Sequence, residues 1–490
     1  MTALVAKRAF LSSLTCPAQG WYEQHADGET PGHGLTWRFW FGREFERRAL
    51  EWLGSGLSLP RAPQELAIAA TTAALANPDN ERMFQATFSS RGMVARADAV
   101  RRTVGGLELF EIKASKSPEH TNAIRDDHLA DAAYTYCVAA GAGTQISRVF
   151  LVMINREFVL DGQHELFSIV DVTAPVRALA TAFAATARSV VPAVTGDARP
   201  DATLIHACKD CPYFASECVG RDVPDPLFLL PRLSAKKFEE LRKYERISRL
   251  PANVALTPPQ KRVADVTCTG KPQHDPKGLG RLDDVVWPAR YLDFEAVMPP
   301  IPWFAAAPPF DAVPFQYSLH TKDWADAEPT HTEFLAAHEG DWRRELVEHL
   351  LDDLGDSGSI IVYSSYEKTR LNGLAALFPD LGPRCEAVVA RLFDLEKVFV
   401  EGYWHPGFAG RTSIKKVLPV LVPDLSYADM PVNNGDDALG LFALMRVGMI
   451  PADEIPAQRQ RLLAYCQLDT LAMVRLHAAA LELRASLATH

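Results

Sequence analysis

Three cysteines crowded into one short stretch constrain the fold of this chain more than any other feature. They stand in the pattern Cys208-x2-Cys211-x6-Cys218, and another cysteine, Cys16, lies far upstream. Thiolates at C-x2-C spacing can reach one metal centre, and a further ligand can come from anywhere in the chain. Clustered cysteines in a cytoplasmic chain bind metal more often than they form disulfides. An iron–sulfur cluster, a structural zinc ion and four unrelated buried thiols are the open interpretations. The remaining cysteines are isolated and are predicted to be small buried residues: Cys137, Cys268, Cys385 and Cys466.

Length and composition place the chain among soluble proteins of several domains. Its 490 residues exceed what one hydrophobic core supports, and 48% of them are hydrophobic and 23% charged. No run of about 18 uncharged apolar residues occurs, and the N-terminus lacks the layout of a signal peptide. We therefore expect a cytoplasmic protein without a membrane span. The net charge of −10 does not exclude nucleic acid, because binding depends on a local basic groove.

The order of the predicted elements indicates an α/β protein made of two blocks and a connector. Residues 1–225 contain predicted helices over 43–52 and 126–140, and strands over 93–100, 107–113 and 149–154. Residues 226–288 are punctuated by prolines and are predicted to be a plain linker with one helical patch over 234–246. Residues 289–490 contain predicted strands over 291–294, 313–320 and 360–363, and helices over 341–352, 367–377 and 456–484. The first block is therefore expected to be a mixed sheet flanked by helices.

Two carboxylates and a lysine gather at the end of a predicted hairpin in the first block. Asp98 ends the first strand, and Glu111-x-Lys113 closes the second. Side chains two apart on a strand face the same way, so Glu111 and Lys113 share a face that Asp98 reaches across the ladder. Such carboxylates can hold Mg²⁺ or Mn²⁺ for phosphodiester hydrolysis, while the lysine steadies developing charge. Glu44, on the preceding helix, is a further candidate ligand. The alternative is an ordinary exposed hairpin, since these residue types are common.

The first block resembles the PD-(D/E)xK nucleases of the RecB type. The resemblance rests on Asp98, on Glu111-x-Lys113, and on a following helix that carries Tyr134 and Tyr136. It implies a restriction-endonuclease-like fold in which Tyr136 is a candidate nucleic-acid contact. The family usually has a glutamine in this helix, whereas this chain reads Ala-Tyr-Thr-Tyr over 133–136.

The cysteines extend this resemblance to the iron–sulfur branch of the family. That branch includes exonucleases found beside CRISPR systems and nuclease subunits of recombination helicases. The resemblance implies a [4Fe–4S] cluster bound by one early cysteine and three late ones, here Cys16, Cys208, Cys211 and Cys218. A structural zinc ion is the alternative. Closing a loop of about 190 residues would stabilise the domain by several kcal/mol.

Acidic residues recur in the second block at a strand end and on a helix face. Asp293 and Glu295 share one face of a predicted strand, and Tyr465 and Asp469 share one face of a predicted helix. Glu367 follows another predicted strand. Carboxylates in such a set can hold two divalent ions, one activating water and the other stabilising the leaving oxygen. Each piece alone is frequent by chance, so the interpretation depends on their order and placement.

This second set resembles the DEDD exonucleases, the proofreading group built on an RNase H-like fold. Asp293 and Glu295 match the first motif, and Tyr465-x3-Asp469 matches the tyrosine form of the third. The resemblance implies that Tyr465 orients the attacking water. It covers the block from residue 289 to residue 490.

The second motif of the DEDD family is altered in this chain. The family has an aspartate after an aromatic residue, and here Tyr366-Glu367 takes that place, so Glu367 is the expected third carboxylate. Asp394 matches a less central acidic position and is the reserve ligand. The stretch 410–416 is basic, and Lys415 and Lys416 are candidate phosphate contacts, with a solvated loop as the alternative.

The complete arrangement resembles an uncharacterised bacterial family that fuses an iron–sulfur RecB-type domain, a connector and a DEDD-like domain. It implies nuclease action but not a biological role. We expect a metal-dependent DNA nuclease, an exonuclease on single-stranded ends or flaps in DNA repair or defence against foreign DNA. RNA processing and a catalytically weakened nucleic-acid-binding platform are the alternatives. No GxxxxGK[ST] phosphate loop occurs, so ATP hydrolysis is not indicated. No membrane partner is expected, and the sequence does not identify a helicase or defence-system partner.

Overall fold

The computed structural model describes residues 4–26, 31–120 and 124–488, and the chain divides into two compact α/β units. The first unit comprises Met1–Thr30, Arg38–Asp222 and Pro299–Asp311. The second unit comprises Pro31–Trp37, Val223–Met298 and Ala312–His490. The main division therefore lies close to the expected boundary at residue 225. The expected connector over 226–288 groups with the second unit and does not stand apart.

Helices and strands are numbered separately in chain order. The α-helices are α1 Lys7–Thr15, α2 Pro17–His25, α3 His33–Leu53, α4 Gln64–Ala76, α5 Asp126–Gly141, α6 Thr173–Thr195, α7 Ala235–Leu241, α8 Pro258–Thr269, α9 Pro276–Gly280, α10 Arg343–Leu354, α11 Tyr366–Leu377, α12 Gly382–Ala390, α13 Glu396–Glu401, α14 Ile414–Leu421, α15 Gly435–Arg446 and α16 Ile455–Ala488. The strands are β1 Leu57–Ser58, β2 Arg82–Ser90, β3 Met93–Thr103, β4 Gly106–Lys116, β5 Ile146–Ile154, β6 Phe167–Asp171, β7 Gln273–His274, β8 Ala289–Val297, β9 Val313–Lys322, β10 Thr330–Leu335, β11 Ile360–Val362, β12 Leu392–Asp394 and β13 Tyr403–Trp404.

A mixed sheet in the order β1-β2-β3-β4-β5-β6 forms the centre of the first unit. β1 and β2 are parallel, β4 and β5 are parallel, and the other neighbours are antiparallel. β3 and β4 form the predicted hairpin, in which Thr103 pairs with Gly106. Gly106 has a φ of +119°, which a residue with a side chain rarely adopts, so this glycine fixes the turn and thereby the register of the hairpin.

The core of the first unit lies where α1, α5 and α6 pack on the sheet. Phe10 contacts Tyr134 and Phe183, with ring centroids 5.1 and 5.5 Å apart. By length and composition α6 could cross a membrane, and no other helix of the described ranges could. In this unit α6 buries Val176, Phe183 and Val190 in the core. Its apolar face therefore has a partner inside the unit.

A five-stranded sheet in the order β10-β9-β8-β11-β12 forms the centre of the second unit. β8, β11 and β12 run parallel to one another, whereas β8, β9 and β10 are antiparallel neighbours. The long helix α16 lies along one face of this sheet. Gln316 of β9 donates a hydrogen bond to the carbonyl oxygen of Leu462 (2.9 Å), and Tyr291 of β8 hydrogen-bonds His477 (2.8 Å). The part of α16 between these contacts consequently faces β8 and β9.

The predicted helices and strands of both blocks are confirmed, and the main difference lies in the connector. A helix, α8, spans residues that were interpreted as linker. Its capping box of Thr257 and Gln260 and the left-handed Gly270 after its end are local helix signals that its two prolines obscured. Cys268, near the end of this helix, is exposed, so the expectation that it is buried was wrong.

Candidate functional sites

The first site lies at the open end of the β3–β4 hairpin, which brings Asp98, Glu111 and Lys113 together. Oδ2 of Asp98 accepts the backbone N–H of Ile112 (2.7 Å), so the aspartate is tied to the strand that carries the other two. Nζ of Lys113 lies 3.5 Å from Oε2 of Glu111. Glu111 is only 1% exposed because β4 is an inner strand of the sheet.

Two helices complete this first site with residues that the sequence motifs did not include. Lys7, at the start of α1, places Nζ 3.3 Å from Oε1 of Glu111 and 3.3 Å from Oδ2 of Asp131. Asp131 of α5 also pairs with Lys113. Thr135, one helical turn after Asp131, donates a hydrogen bond to Oε1 of Glu111. Two lysines therefore stand among three acidic residues.

Burial and neighbouring charges shift the pKa values of the side chains in this site in different directions. Burial raises the pKa of Asp98 to about 7, and the neighbouring charge of Glu111 adds to the effect. Burial would also raise the pKa of Asp131, but Lys113 and Lys7 hold it below its usual value. Burial would lower the pKa of Lys113, but Glu111 and Asp131 raise it above its usual value. Lys113 is therefore charged at neutral pH, and a cation beside Asp98 would stabilise its charged form.

A cavity of about 430 Å³ opens beside these residues, and its lining corrects the position of one predicted ligand. Glu46 of α3 lines the cavity, whereas Glu44 does not. Hydrogen bonds from Arg47 and Arg48 lower the pKa of Glu44 to about 2 and hold it on the charged side of α3. Residues two apart on a helix point about 200° apart. Glu46 consequently faces the site from which Glu44 is turned away, and it accepts hydrogen bonds there from Gln85 and Arg61.

The predicted nucleic-acid contact Tyr136 is half-buried and packs against the core of the first unit. The face of α5 that reaches the site carries Asp131 and Thr135. Tyr134 is buried, and its hydroxyl donates to the carbonyl oxygen of Val5 (2.7 Å). The stretch that lacks the family's glutamine therefore presents a threonine to Glu111.

The second site lies in the second unit, where β8, α11 and α16 meet. Asp293 and Glu295 are two residues apart on β8 and share the face of the strand that α16 covers. Asp469 of α16 lies close to both. One carboxylate oxygen from each of these three residues lies within 4.8 Å of the others. Glu295 and Asp469 are each only 8% exposed. Glu367, in the first turn of α11, is outside this group of three but near enough for its charge to act on it.

Burial and mutual repulsion disfavour negative charge at this second site. Burial raises the pKa of Asp293 well above its usual range, and Asp469, Glu367 and Glu295 raise it further. Burial raises the pKa of Glu367 to about 7 and that of Asp469 to about 6. Oε2 of Glu367 is buried without a hydrogen-bond partner among the described residues. A buried carboxylate oxygen without a hydrogen-bond partner, near other carboxylates, is a candidate cation ligand.

A lysine and two tyrosines border the carboxylates. The Tyr427 hydroxyl donates a hydrogen bond to Oδ1 of Asp469 (2.6 Å). Nζ of Lys415 donates to the Tyr465 hydroxyl (3.3 Å) and lies 5.1 and 5.2 Å from the ring centroids of Tyr427 and Tyr465. Burial raises the pKa of Glu295, and the charge of Lys415 opposes that rise. The structure therefore places Lys415 beside the carboxylates.

Two other predicted site residues are Asp394 and Lys416, and Asp394 is not among the three carboxylates that lie within 4.8 Å of one another. Oδ1 of Asp394 accepts the backbone N–H of Glu396 (3.1 Å), the first residue of α13, and its Oδ2 lies 3.9 Å from Nζ of Lys397. Burial raises the pKa of Glu367, and the charge of Asp394 raises it further. Lys416 is exposed on α14.

Sequence reasoning missed two residues that contact the second site. Cys466 was expected to be a small buried residue, and it is buried, but its Sγ also donates a hydrogen bond to Oδ2 of Asp293 (3.5 Å). Its place directly after Tyr465 in the motif was the available signal. Tyr427 lies between α14 and α15, outside any helix or strand, so no periodicity pointed to it.

The cysteine site lies in the first unit, where Cys16, Cys208, Cys211 and Cys218 line one small cavity. All four thiols are free. Burial raises the pKa of Cys208, and the three other thiols are near enough to raise it further. Nη1 of Arg199 donates to Sγ of Cys218 (3.5 Å). Cysteines that are far apart in the sequence thus converge, as one four-thiolate centre requires.

The fold and these sites define an α/β protein with two separate carboxylate sites and one cysteine site. A family model described as Domain of unknown function (DUF2779) matches residues 290–413. The matched segment contains Asp293, Glu295 and Glu367 but ends before Lys415 and Asp469. No curated protein and no solved structure matches the chain.

Proposed function

We propose that this chain is a metal-dependent nuclease, an exonuclease that acts on single-stranded DNA ends or flaps. The proposal depends above all on Asp293, Glu295 and Asp469, whose oxygens gather within 4.8 Å of one another. Buried like charges without a cation cost folding free energy. A protein that keeps three of them together is best explained by a function that brings cations to them.

The residues of the second site fit divalent cations. Hard carboxylate oxygens are the ligands that Mg²⁺ and Mn²⁺ prefer. Asp293, Glu295 and Asp469 would hold the ions. The charge of Glu367 acts on Asp293, and its Oε2 has no hydrogen-bond partner among the described residues. When bound, a pair of such ions activates a water molecule and stabilises the leaving oxygen of a phosphodiester.

Two side chains of the second site are suited to hold water and substrate. Burial raises the pKa of Tyr465 well above its usual value, so its hydroxyl keeps its proton and can orient a water molecule. Lys415, 3.3 Å from that hydroxyl, offers a positive charge to a phosphate. The paired carboxylates on β8 and the tyrosine and aspartate on α16 support an RNase H-like, DEDD-type exonuclease domain.

For the first unit we propose a RecB-type PD-(D/E)xK nuclease domain. Asp98 and Glu111 would hold a divalent ion, and Glu46 lines the same cavity. Lys113 stays charged because its acidic neighbours raise its pKa, so it can stabilise negative charge that develops on a phosphate. The exposed Arg96 on the same cavity adds a further positive group.

For the cysteine site we propose a [4Fe–4S] cluster with a structural role. Cys16, early in the chain, would bind it together with Cys208, Cys211 and Cys218, which come much later in the chain. The convergence of four free thiols supports a four-thiolate centre, and zinc is the competing occupant.

The test is a time course on end-labelled single-stranded DNA, and in parallel RNA, with Mg²⁺ or Mn²⁺. Wild type is compared with Lys113→Ala, Asp293→Ala, their combination and the control Asp326→Ala, an exposed aspartate in the turn between β9 and β10. We expect a ladder of shortening products that the control keeps and the combined variant loses. Intact DNA and RNA in every wild-type lane would refute the nuclease function.

A further inference from the structure

A separate cavity of about 610 Å³ in the second unit is not used by the carboxylate site. It lies between α8, α13 and the turn that follows β13. Its volume is in the range that accommodates a small organic group. The lining joins apolar and aromatic side chains to arginines, which is the composition of a nucleotide-binding surface.

The aromatic wall of this cavity is fixed in place. Trp404, His405 and Phe408 line it. The guanidinium group of Arg262 lies 4.3 Å from the ring centroid of Trp404, and the indole N–H donates to the carbonyl oxygen of Val400 (3.2 Å). An aromatic ring that is already fixed in position stacks well on a planar base, because its side chain loses little conformational freedom on binding.

Two positively charged side chains lie at the edge of the cavity. Arg232 and Arg411 are exposed on its rim, and neither has an ion pair within the parts of the chain that the structure describes. Glu396 is the one carboxylate of the described lining, and its Oε1 accepts a hydrogen bond from the Thr412 hydroxyl (2.7 Å). Free guanidinium groups beside an aromatic wall favour an anionic ligand with a flat ring.

A short segment joins this cavity to the carboxylate site. Arg411 and Thr412 line the cavity, and Lys415 contacts Tyr465 at the carboxylates. Four residues of chain span at most about 14 Å, a distance that a few nucleotides of a single strand cover. A nucleic-acid strand that ends at the carboxylates is therefore within reach of the cavity.

We propose that this cavity is a base-binding subsite for single-stranded nucleic acid. It holds one unpaired nucleotide of the strand whose end lies at the carboxylate site. Trp404 stacks on the base, and Arg232 and Arg411 bind the adjacent phosphates. The proposal rests on the proposed nuclease function, because that function supplies the strand. It adds a reason for single-strand preference, since a base inside a duplex would have to leave its stack to enter.

The test measures strand binding while hydrolysis is prevented by EDTA. Fluorescence anisotropy of end-labelled twelve-nucleotide oligothymidylate and oligouridylate gives the affinity of the full chain for DNA and for RNA. We expect Trp404→Leu and Arg411→Ala each to weaken binding about fivefold or more, as the loss of one stacked base does. The control Lys261→Ala removes an exposed positive charge from α8 outside the lining and should change affinity less than about twofold.

Each outcome decides for or against the subsite. Equal affinities of wild type, Trp404→Leu and Arg411→Ala would overturn it, and the nuclease function would still stand if wild type shortens the strand. A wild type that binds neither oligonucleotide also overturns the subsite, and the time course then judges the nuclease function separately. Thermal unfolding checks each variant, and if Trp404→Leu fails to fold, the exposed Arg411 still provides the test.

Discussion

Single carboxyl groups set the properties of the second site. Asp293, Glu295 and Asp469 repel one another, and burial is the largest cause of the raised pKa of each. Lys415 offsets part of this repulsion, but its Nζ also donates to the carbonyl oxygen of Asn433 (2.5 Å) and to a tyrosine hydroxyl. Protons and divalent cations therefore compete for the same oxygens, and either stabilises the fold.

Replacing Asp469 by Asn should reveal this competition in metal-free protein. Burial raises the pKa of Asp469 to about 6, whereas an unfolded aspartate titrates near pH ~4. Between those values the folded protein holds a proton that the unfolded chain has lost, so this group's contribution to stability falls as pH rises. Above pH 6 the charged group costs at most about 3 kcal/mol.

In EDTA we therefore expect Asp469→Asn to melt at a higher temperature than wild type at pH 7.5. The difference should shrink towards pH 4. With Mn²⁺ at pH 7.5 the order should reverse, because only wild type keeps the full set of ligands. Differential scanning fluorimetry measures both series, and parallel curves at every pH and in Mn²⁺ would contradict the assignment.

Two glutamates on α3, Glu46 and Glu44, test which of them contributes to the first site. Glu46 lines the cavity, whereas Glu44 is held by two arginines on another side of the helix. In an Asp293→Ala background, where the second site is disabled, Glu46→Gln should lower the rate of strand shortening about tenfold or more. Glu44→Gln should leave the rate within about twofold. Equal rates for the two variants would show that the wall formed by α3 does not act on the substrate.

Sequence patterns predicted the strand residues of both sites better than the residues that reach them from elsewhere. Alternation along a strand placed Glu111 beside Lys113. Asp131 and Thr135 show the helical i, i+4 spacing that indicates one face, but nothing local showed which partner that face meets. Lys7 reaches Glu111 across 104 positions of the chain, and only the fold brings such residues together.

At the scale of elements, α1 joins the cysteine site to the first carboxylate site. Lys7 begins this helix, and Cys16 follows directly after its end. Its nine residues span about 14 Å. The helix therefore fixes the position of Lys7 at one end relative to Cys16 just beyond the other end.

Neighbouring residues on α1 provide a sharp test of the role of Lys7. Lys7→Met removes the charge beside Glu111 and Asp131, and in an Asp293→Ala background we expect it to slow hydrolysis about tenfold or more. Arg8, the next residue, is bound to Glu23 at the surface, so Arg8→Met should have little effect. Iron content, measured by colorimetric assay, should match wild type in both variants. Loss of iron in Lys7→Met would mean that the lysine acts through the cysteine site.

Elements with strong periodicity were predictable, and those defined by their partners were not. β4 and β8 have clear alternation or turn signals, and both were predicted, although each predicted range was shorter than the observed strand. β10 is an edge strand with the pattern Thr-His-Thr-Glu-Phe-Leu, whose hydrogen bonds to β9 define it more than its own composition does. α8 was missed because its two prolines at the N-terminus were interpreted as breakers, although proline is well tolerated there.

At the scale of the whole molecule, each unit has its own sheet and its own carboxylate site, but only the first has the four-cysteine site. A centre that joins Cys16 to Cys208 closes a loop of about 190 residues, which in the chain-entropy picture stabilises the fold by about 5 kcal/mol. That contribution belongs to the first unit alone. Losing the centre should consequently affect the two units differently.

The last prediction separates the units by removing the cysteine site. Anaerobically purified wild type should be brown, absorb near ~400 nm and contain iron, as thiolate-bound clusters do. Cys208→Ala should lose the iron and raise amide hydrogen exchange in β4, while β8 keeps its protection. The control Cys268→Ala, at an exposed cysteine of the second unit, should keep both the iron and the protection of β4. Colourless wild type with stoichiometric zinc would assign the site to zinc, and a Cys208→Ala protein that keeps its metal and its protection would show that the four cysteines do not form one centre.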